Sequence, residues 1–137
     1  LPEPGWFVGK AVNKLDLKGR LILPAKMRPL LTGTLYLTKS KDGCLRIFTE
    51  QMFQSEIDRQ REVFSGGRND RDNVRALIAA TEECSLDNQG RLAIPPDLRA
   101  HAELEAEGLV VVSGMIDFVE LWSEGRFAEI EARAAAP

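Results

Sequence analysis

Asp16-Leu17-Lys18-Gly19-Arg20-Leu21-Ile22-Leu23-Pro24-Ala25-Lys26-Met27-Arg28 returns 71 residues later as Asp87-Asn88-Gln89-Gly90-Arg91-Leu92-Ala93-Ile94-Pro95-Pro96-Asp97-Leu98-Arg99. Asp, Gly, Arg, Leu, Pro and Arg recur in register. An internal repeat is read before individual elements because it sets the architecture. The correspondence continues at an offset of 74, where Leu35 to Phe53 matches Leu109 to Phe127 and pairs Leu45 with Val119, Phe48 with Trp122, Glu50 with Glu124 and Phe53 with Phe127. The second copy gains three residues around Ala102 to Gly108.

Within one copy, apolar residues flank Asp-x-x-Gly-Arg on both sides. Gly19 can take the positive φ of a tight turn, and the Asp16 carboxylate can accept the turn's backbone N–H groups. This predicts a β-hairpin with its tip at residues 16–19. Pro24 cannot donate to a ladder, so the strand from Arg20 to Leu23 ends there and gives way to a short helix, Ala25 to Leu31, which contains Pro29. A second hairpin is expected from Leu35–Thr38 and Cys44–Phe48, turning at Lys41-Asp42-Gly43. Thr49 then caps a helix with Phe53, Ile57 and Phe64 on one face. Ser123 is the matching cap in the second copy, with Phe127, Ile130 and Ala134 as the apolar face.

Ser65-Gly66-Gly67 interrupts the helical pattern, and Asp72 to Ala80 resumes it with Val74, Leu77 and Ile78 on one side. The expected organisation is a first copy over residues 1–54, a helical connector over 55–80 and a second copy over 81–137. A copy of about 50 residues with a few short strands leaves sheet edges open and buries little core. The fold class is therefore α+β, with the two copies completing one pseudo-two-fold β-barrel.

The chain has 137 residues, 44% of them hydrophobic and 28% charged, as in ordinary globular domains. Its net charge of −3 hides a polarity. Residues 1–49 carry nine basic side chains against three acidic ones, a balance of +6, whereas residues 50–137 carry nine arginines against 18 carboxylates, a balance of −9. The longest apolar runs, such as Ala76 to Ala80 and Leu109 to Val112, are too short to cross a bilayer. Leu1 to Trp6 has neither the charged nor the apolar region of an export signal, so no membrane association is expected. Cys44 and Cys84 form no CxxC, and His101 is the one histidine; two free thiols and no metal are expected.

The paired Asp-x-x-Gly-Arg-x-x-x-Pro-x-x-x-Arg segments, the lead-in Phe7-Val8-Gly9-Lys10 and the stretch Gly114 to Trp122 ending in Glu120-Leu121-Trp122 together resemble the MraZ family, whose two domains are of the AbrB-like swapped-hairpin type. The resemblance runs from about Phe7 to Ile130. It implies a cytoplasmic, nucleoid-associated transcriptional regulator that binds double-stranded DNA at direct repeats in the promoter of the division and cell-wall gene cluster. It also implies self-association into a ring. The family's DNA-contacting signature, Asp-x-x-x-Arg, maps onto Asp16 with Arg20 and onto Asp87 with Arg91.

Those residue types suit the role on physical grounds. A two-stranded ribbon fits the major groove, and an arginine at the root of a turn can bond a phosphate or guanine O6 and N7 with two donors while an aspartate orients it. Lys14 and Lys18 flank Arg20 and add charge. The bland alternative is a surface Asp–Arg pair that only fixes the turn. Of the nine early basic positions, only Arg20 and Arg28 meet a basic residue in the second copy. Arg28 and Arg99 are therefore expected to serve the shared fold, pairing with a carboxylate beneath the hairpin. Positions basic in one copy alone, Lys10, Lys14, Lys18, Lys26, Lys39, Lys41 and Arg46, are expected to form a one-sided electrostatic surface, with the lysine-rich hairpin toward DNA and the acidic copy away from it.

Other readings are weaker. His101 aligns with Leu30 and is expected to pack or hydrogen-bond at a helix end. Ser65-Gly66-Gly67-Arg68 lacks the strand and lysine of a phosphate loop. Trp122 and Phe48 close apolar strands and read as buried anchors, and the carboxylates of Glu103 to Glu107 read as a solvated face. An enzyme would need a convergent polar constellation that one histidine and two distant cysteines do not supply, so no catalytic activity, cofactor or small-molecule substrate is expected. The remaining alternative is an oligomeric scaffold that binds protein through its acidic half.

Overall fold

The computed structural model describes residues 5–137, so Leu1 to Pro4 of the opening segment lie outside the described residues. In it, the strand arms around each Asp-x-x-Gly-Arg turn part from one another. The arm before the first turn, β1 (Lys10–Lys14), does not pair with the arm after it, β2 (Arg20–Ile22). They are joined by the backbone bond from Asp16 N to Arg20 O at 2.9 Å and by Asn13 Nδ2, which donates to Ile22 O at 2.6 Å. The turn itself forms as expected, with Gly19 at φ +78 and Gly90, its counterpart, at φ +77.

After Pro24 the chain makes a turn and a short 3-10 segment at Arg28–Leu30, with Pro29 inside it, in place of the expected helix from Ala25 to Leu31. The proline has no N–H and disfavours α geometry in the residue before it. The second copy has Ala100 at that position and forms a true α-helix there. Next come β3 (Leu35–Lys39) and β4 (Leu45–Thr49), paired antiparallel as expected. The helices α1 (Glu50–Phe64) and α2 (Arg68–Ala80) follow. Thr49 Oγ1 accepts from Met52 N at 3.3 Å, capping α1. The second copy supplies β5 (Glu82–Cys84), β6 (Arg91–Ala93), α3 (Pro96–Ala102), β7 (Leu109–Gly114), β8 (Val119–Ser123) and α4 (Glu124–Ala135), the last capped by Ser123.

Six strands form one sheet in the order β1-β7-β8-β4-β3-β5, and β2 with β6 forms a separate two-stranded ribbon. Each arm has crossed to the other copy: β1 lies on β7, β5 on β3 and β2 on β6. The strand order reads the same from either end once the copies are exchanged. Its pseudo-two-fold axis passes between Leu21 and Leu92, which pair on the ribbon, and between Arg46 and Glu120, which pair on β4 and β8. The architecture is α+β and duplicated, but no ladder among the described residues joins sheet to ribbon. In place of the expected closed barrel, an open six-stranded sheet packs its inner face against the ribbon.

Side-chain alternation explains that packing. Leu35, Leu37, Leu45, Ile47, Val110, Val112, Val119 and Leu121 point to the inner face of the sheet and meet Leu21, Leu23, Leu92 and Ile94 from the ribbon side, all buried. The outer face is covered by helices. Phe53 of α1 stacks on Tyr36 with centroids 4.2 Å apart, and Phe127 of α4 meets Trp122 edge-on at 6.4 Å. Phe48 and Trp122 are buried there, as their strand-end positions suggested. His101 Nε2 lies 2.6 Å from Ser40 O at the end of α3, the hydrogen-bonding role expected of it. Both cysteines are free, and burial pushes the Cys44 thiol up to about 12 and Cys84 up to about 11, which leaves almost no thiolate at neutral pH.

Candidate nucleic-acid interface

At the first turn, Asp16 Oδ1 accepts from the backbone N–H groups of Lys18 at 2.9 Å and Arg20 at 2.8 Å, while Oδ2 accepts from Arg20 Nε at 2.9 Å. The second turn repeats this. Asp87 Oδ1 accepts from Gln89 N and Arg91 N, both at 2.9 Å, and Oδ2 from Arg91 Nε at 2.7 Å. In each case the backbone N–H of the arginine is the main influence that holds the carboxyl below its ordinary value of 3.8. The aspartate thus grips its arginine by Nε. Neither terminal nitrogen of Arg20 or Arg91 has a protein partner among the described residues, so the forked end that bonds phosphate or guanine in pairs is left to solvent.

The ribbon sets both arginines on one face. Arg20 pairs with Ala93 and Ile22 with Arg91, so these four residues share the outer face while Leu21 and Leu92 are buried behind them. Arg20 and Arg91 are diagonal neighbours, one at each end of the ribbon. Both copies thus contribute an arginine to this face, where the charge division predicts that the basic hairpin acts alone. The crossing of the arms puts one arginine of each copy on a single face.

Lys14, at the end of β1, and Lys18, within the turn, are exposed beside Arg20. With Leu15, Asp16, Leu17 and Glu107 they rim an open depression of about 400 Å³. Glu107 belongs to the second copy and reaches this rim because its backbone N–H bonds Leu15 O at 2.8 Å. It is exposed like Glu103 and Glu105, but it is also a local acid at the basic turn. At the second turn, Arg28, Asp87, Asn88 and Gly90 help to line a depression of about 350 Å³, with neutral Ser85 on its rim at the position of Lys14; Gln89 takes the place of Lys18 in the turn.

Two members of the expected one-sided basic surface are drawn into ion pairs. Lys10 bonds Glu131 at 2.6 Å and lies over Phe127, while Arg46 bonds Glu120 at 3.0 Å and Asp42 at 3.4 Å. Glu131 and Glu120 come from the acidic copy, which neutralises part of the basic one. Arg28 and Arg99 also depart from expectation: no carboxylate pairs with either among the described residues. Arg28 Nε donates to Leu23 O at 2.8 Å, and its side chain lies against Gly90, where a built Cβ would sit 2.6 Å from Arg28 Cδ. Reciprocally, a Cβ at Gly19 would collide with the guanidinium of Arg99. The recurrence of these arginines four residues after the proline was legible, but not that each lies at the other copy's turn.

No helix of the described residues is long and apolar enough to cross a membrane, and no group of three or more potential metal ligands occurs among them.

The MraZ family profile, described as MraZ protein, matches residues 7–73 and 77–137. A protein of a Nocardioides species named transcriptional regulator MraZ is 40% identical over 130 residues, covering 95% of this chain and 89% of the relative. Proteins of the same name from Pediococcus pentosaceus and Lactiplantibacillus plantarum are each 37% identical, covering 90% and 95% of this chain and 85% and 91% of their own lengths. The duplicated motif, its symmetric crossed fold and these matches over both copies agree, and the chain belongs to the MraZ family.

Proposed function

We propose that the protein is a sequence-specific, DNA-binding transcriptional regulator whose outer ribbon face engages the double helix. The observation that carries this reading is the pair of Asp-gripped arginines, Arg20 and Arg91, displayed with free forks on one two-stranded ribbon. A ribbon of this width enters the major groove, and a fork oriented before binding loses less side-chain freedom on contact. The relatives' shared name, transcriptional regulator, supports the same reading. Its finer content follows the family resemblance: direct repeats in the promoter of the division and cell-wall gene cluster as target, a ring of several subunits as the binding form, and a cytoplasmic, nucleoid-associated location. A ring presents several ribbons to repeated elements, so weak individual contacts gain from effective concentration.

The test is a binding titration against salt with a duplex from upstream of the gene cluster and a shuffled duplex of equal composition. Charge reversal, Arg20→Glu, is expected to lower affinity for the promoter duplex at least tenfold and to flatten the dependence of log K on log salt. Unchanged affinity and slope overturn the assignment. Assembly that persists while DNA affinity vanishes at physiological salt identifies a protein-binding scaffold instead.

A further inference from the structure

The two recurrent arginines that the Asp-x-x-Gly-Arg clamp does not use stand at the opposite copy's turn. Arg99, on α3 of the second copy, lies over Gly19 of the first copy's turn so closely that no side chain fits between them. Arg28, the first residue of the 3-10 turn of the first copy, lies over Gly90 in the same way. The backbone reinforces the exchange, since Ile94 N bonds Gly19 O at 2.9 Å and Leu23 N bonds Gly90 O at 3.0 Å. Both side chains are only half-buried. Arg28 gives Nε to a carbonyl and keeps its terminal nitrogens free, and the Arg99 guanidinium has no hydrogen-bonding partner among the described residues.

A cation that only braced a turn would be expected to meet an acceptor in it. Here the turn's one carboxylate is already occupied by the arginine of its own copy, and the second guanidinium contributes charge without neutralisation. The glycine serves two needs: its positive φ makes the turn, and its missing side chain leaves room for the guanidinium to lie against the backbone.

We propose that each DNA-binding turn is a composite site completed by the other copy, Arg99 joining Arg20 and Arg28 joining Arg91, with the added arginine binding a backbone phosphate next to the group the clamped arginine contacts. This rests on the reading of the ribbon as a DNA-binding face. It gives each turn two cations of different kinds, one gripped by Asp and aimed, the other unpaired and able to adjust. It also makes both turns net cationic, so the acidic copy contributes positive charge to the face through Arg91 and Arg99.

The experiment uses the full chain and the promoter duplex, with log K followed from about 50 to 300 mM salt. Each phosphate contact contributes a slope of about −0.9 per site. Arg99→Gln is expected to weaken binding about tenfold and to reduce the slope by about 0.9 for each engaged copy. Arg99→Lys, which keeps the charge, is expected to retain the slope with only partial loss of affinity. Arg75→Gln, on α2 away from the ribbon, controls for general charge. A purely structural Arg99 gives the opposite pattern, a lowered melting temperature with an unchanged slope in the folded fraction, and overturns the proposal. Should Arg99→Gln fail to fold, Arg28→Gln tests the symmetric site with the same readout and the same two outcomes. Wild-type protein that does not bind the duplex overturns the parent reading as well, whereas wild-type binding with an unaltered Arg99→Gln slope overturns this inference alone.

Discussion

Three N–H donors converge on the Asp16 carboxylate, and the same three positions converge on Asp87. This convergence explains both why the aspartate recurs and why its pKa is depressed, foremost by the arginine's backbone N–H. The sign of the consequence is fixed by linkage. A carboxyl whose folded pKa lies below its ordinary 3.8 adds stability at all pH values above 3.8 and loses it as pH falls through the lower folded value. Asp16→Asn is therefore expected to melt below wild type by a constant margin between about pH 5 and 7, and that margin is expected to close below 3.8. Thermal unfolding followed by circular dichroism across pH 3–7 measures it; a margin that persists unchanged at pH 3 contradicts the clamp. The clamp was readable from the spacing of Asp, Gly and Arg. The surroundings of Arg99 were not, because nothing in one copy's local pattern reports what the other copy places beside it.

At the scale of elements, the crossing of arms is the main departure from a local reading. Apolar runs on both sides of a turn indicate a reversal of direction, and the chain does reverse at residues 16–19. Strand pairing, however, goes to whichever neighbour buries the apolar face of each arm. Leu21 and Leu92 show this most clearly, as they are fully buried, direct register partners and lie on the pseudo-two-fold axis. Leu21→Ala or Leu92→Ala is expected to cost about 2–5 kcal/mol each. The double variant is expected to differ from the sum by more than about 0.5 kcal/mol, because the two residues share one cavity. Denaturant midpoints of the three variants decide it, and strict additivity contradicts the pairing. Proline and capping signals were legible at this scale. Pro29 limited its segment to a 3-10 turn, and Thr49 and Ser123 cap the helices they were expected to cap.

For the whole molecule, interleaving means that neither copy holds a complete sheet. β1, β2 and β3 of the first copy all find partners in the second. The full chain is expected to unfold in one transition by tryptophan fluorescence and circular dichroism alike. A fragment ending at Ala80 is expected to lack cooperative unfolding until mixed with the fragment that begins at Thr81; independent, cooperative melting of the first fragment contradicts the crossed fold. The charge division legible in the sequence is real as a count, but the fold redistributes it. Lys10 and Arg46 are paired with carboxylates of the acidic copy, while Arg91 of that copy joins Arg20 on the ribbon. The proposed DNA-binding face therefore belongs to both copies, and Arg91→Gln tests this most directly. With the promoter duplex, the slope of log K against log salt is expected to fall in magnitude by about 0.9 for each engaged subunit, together with about a tenfold loss of affinity. A slope and affinity equal to wild type would show that the second copy stands away from the DNA, contrary to the shared ribbon face.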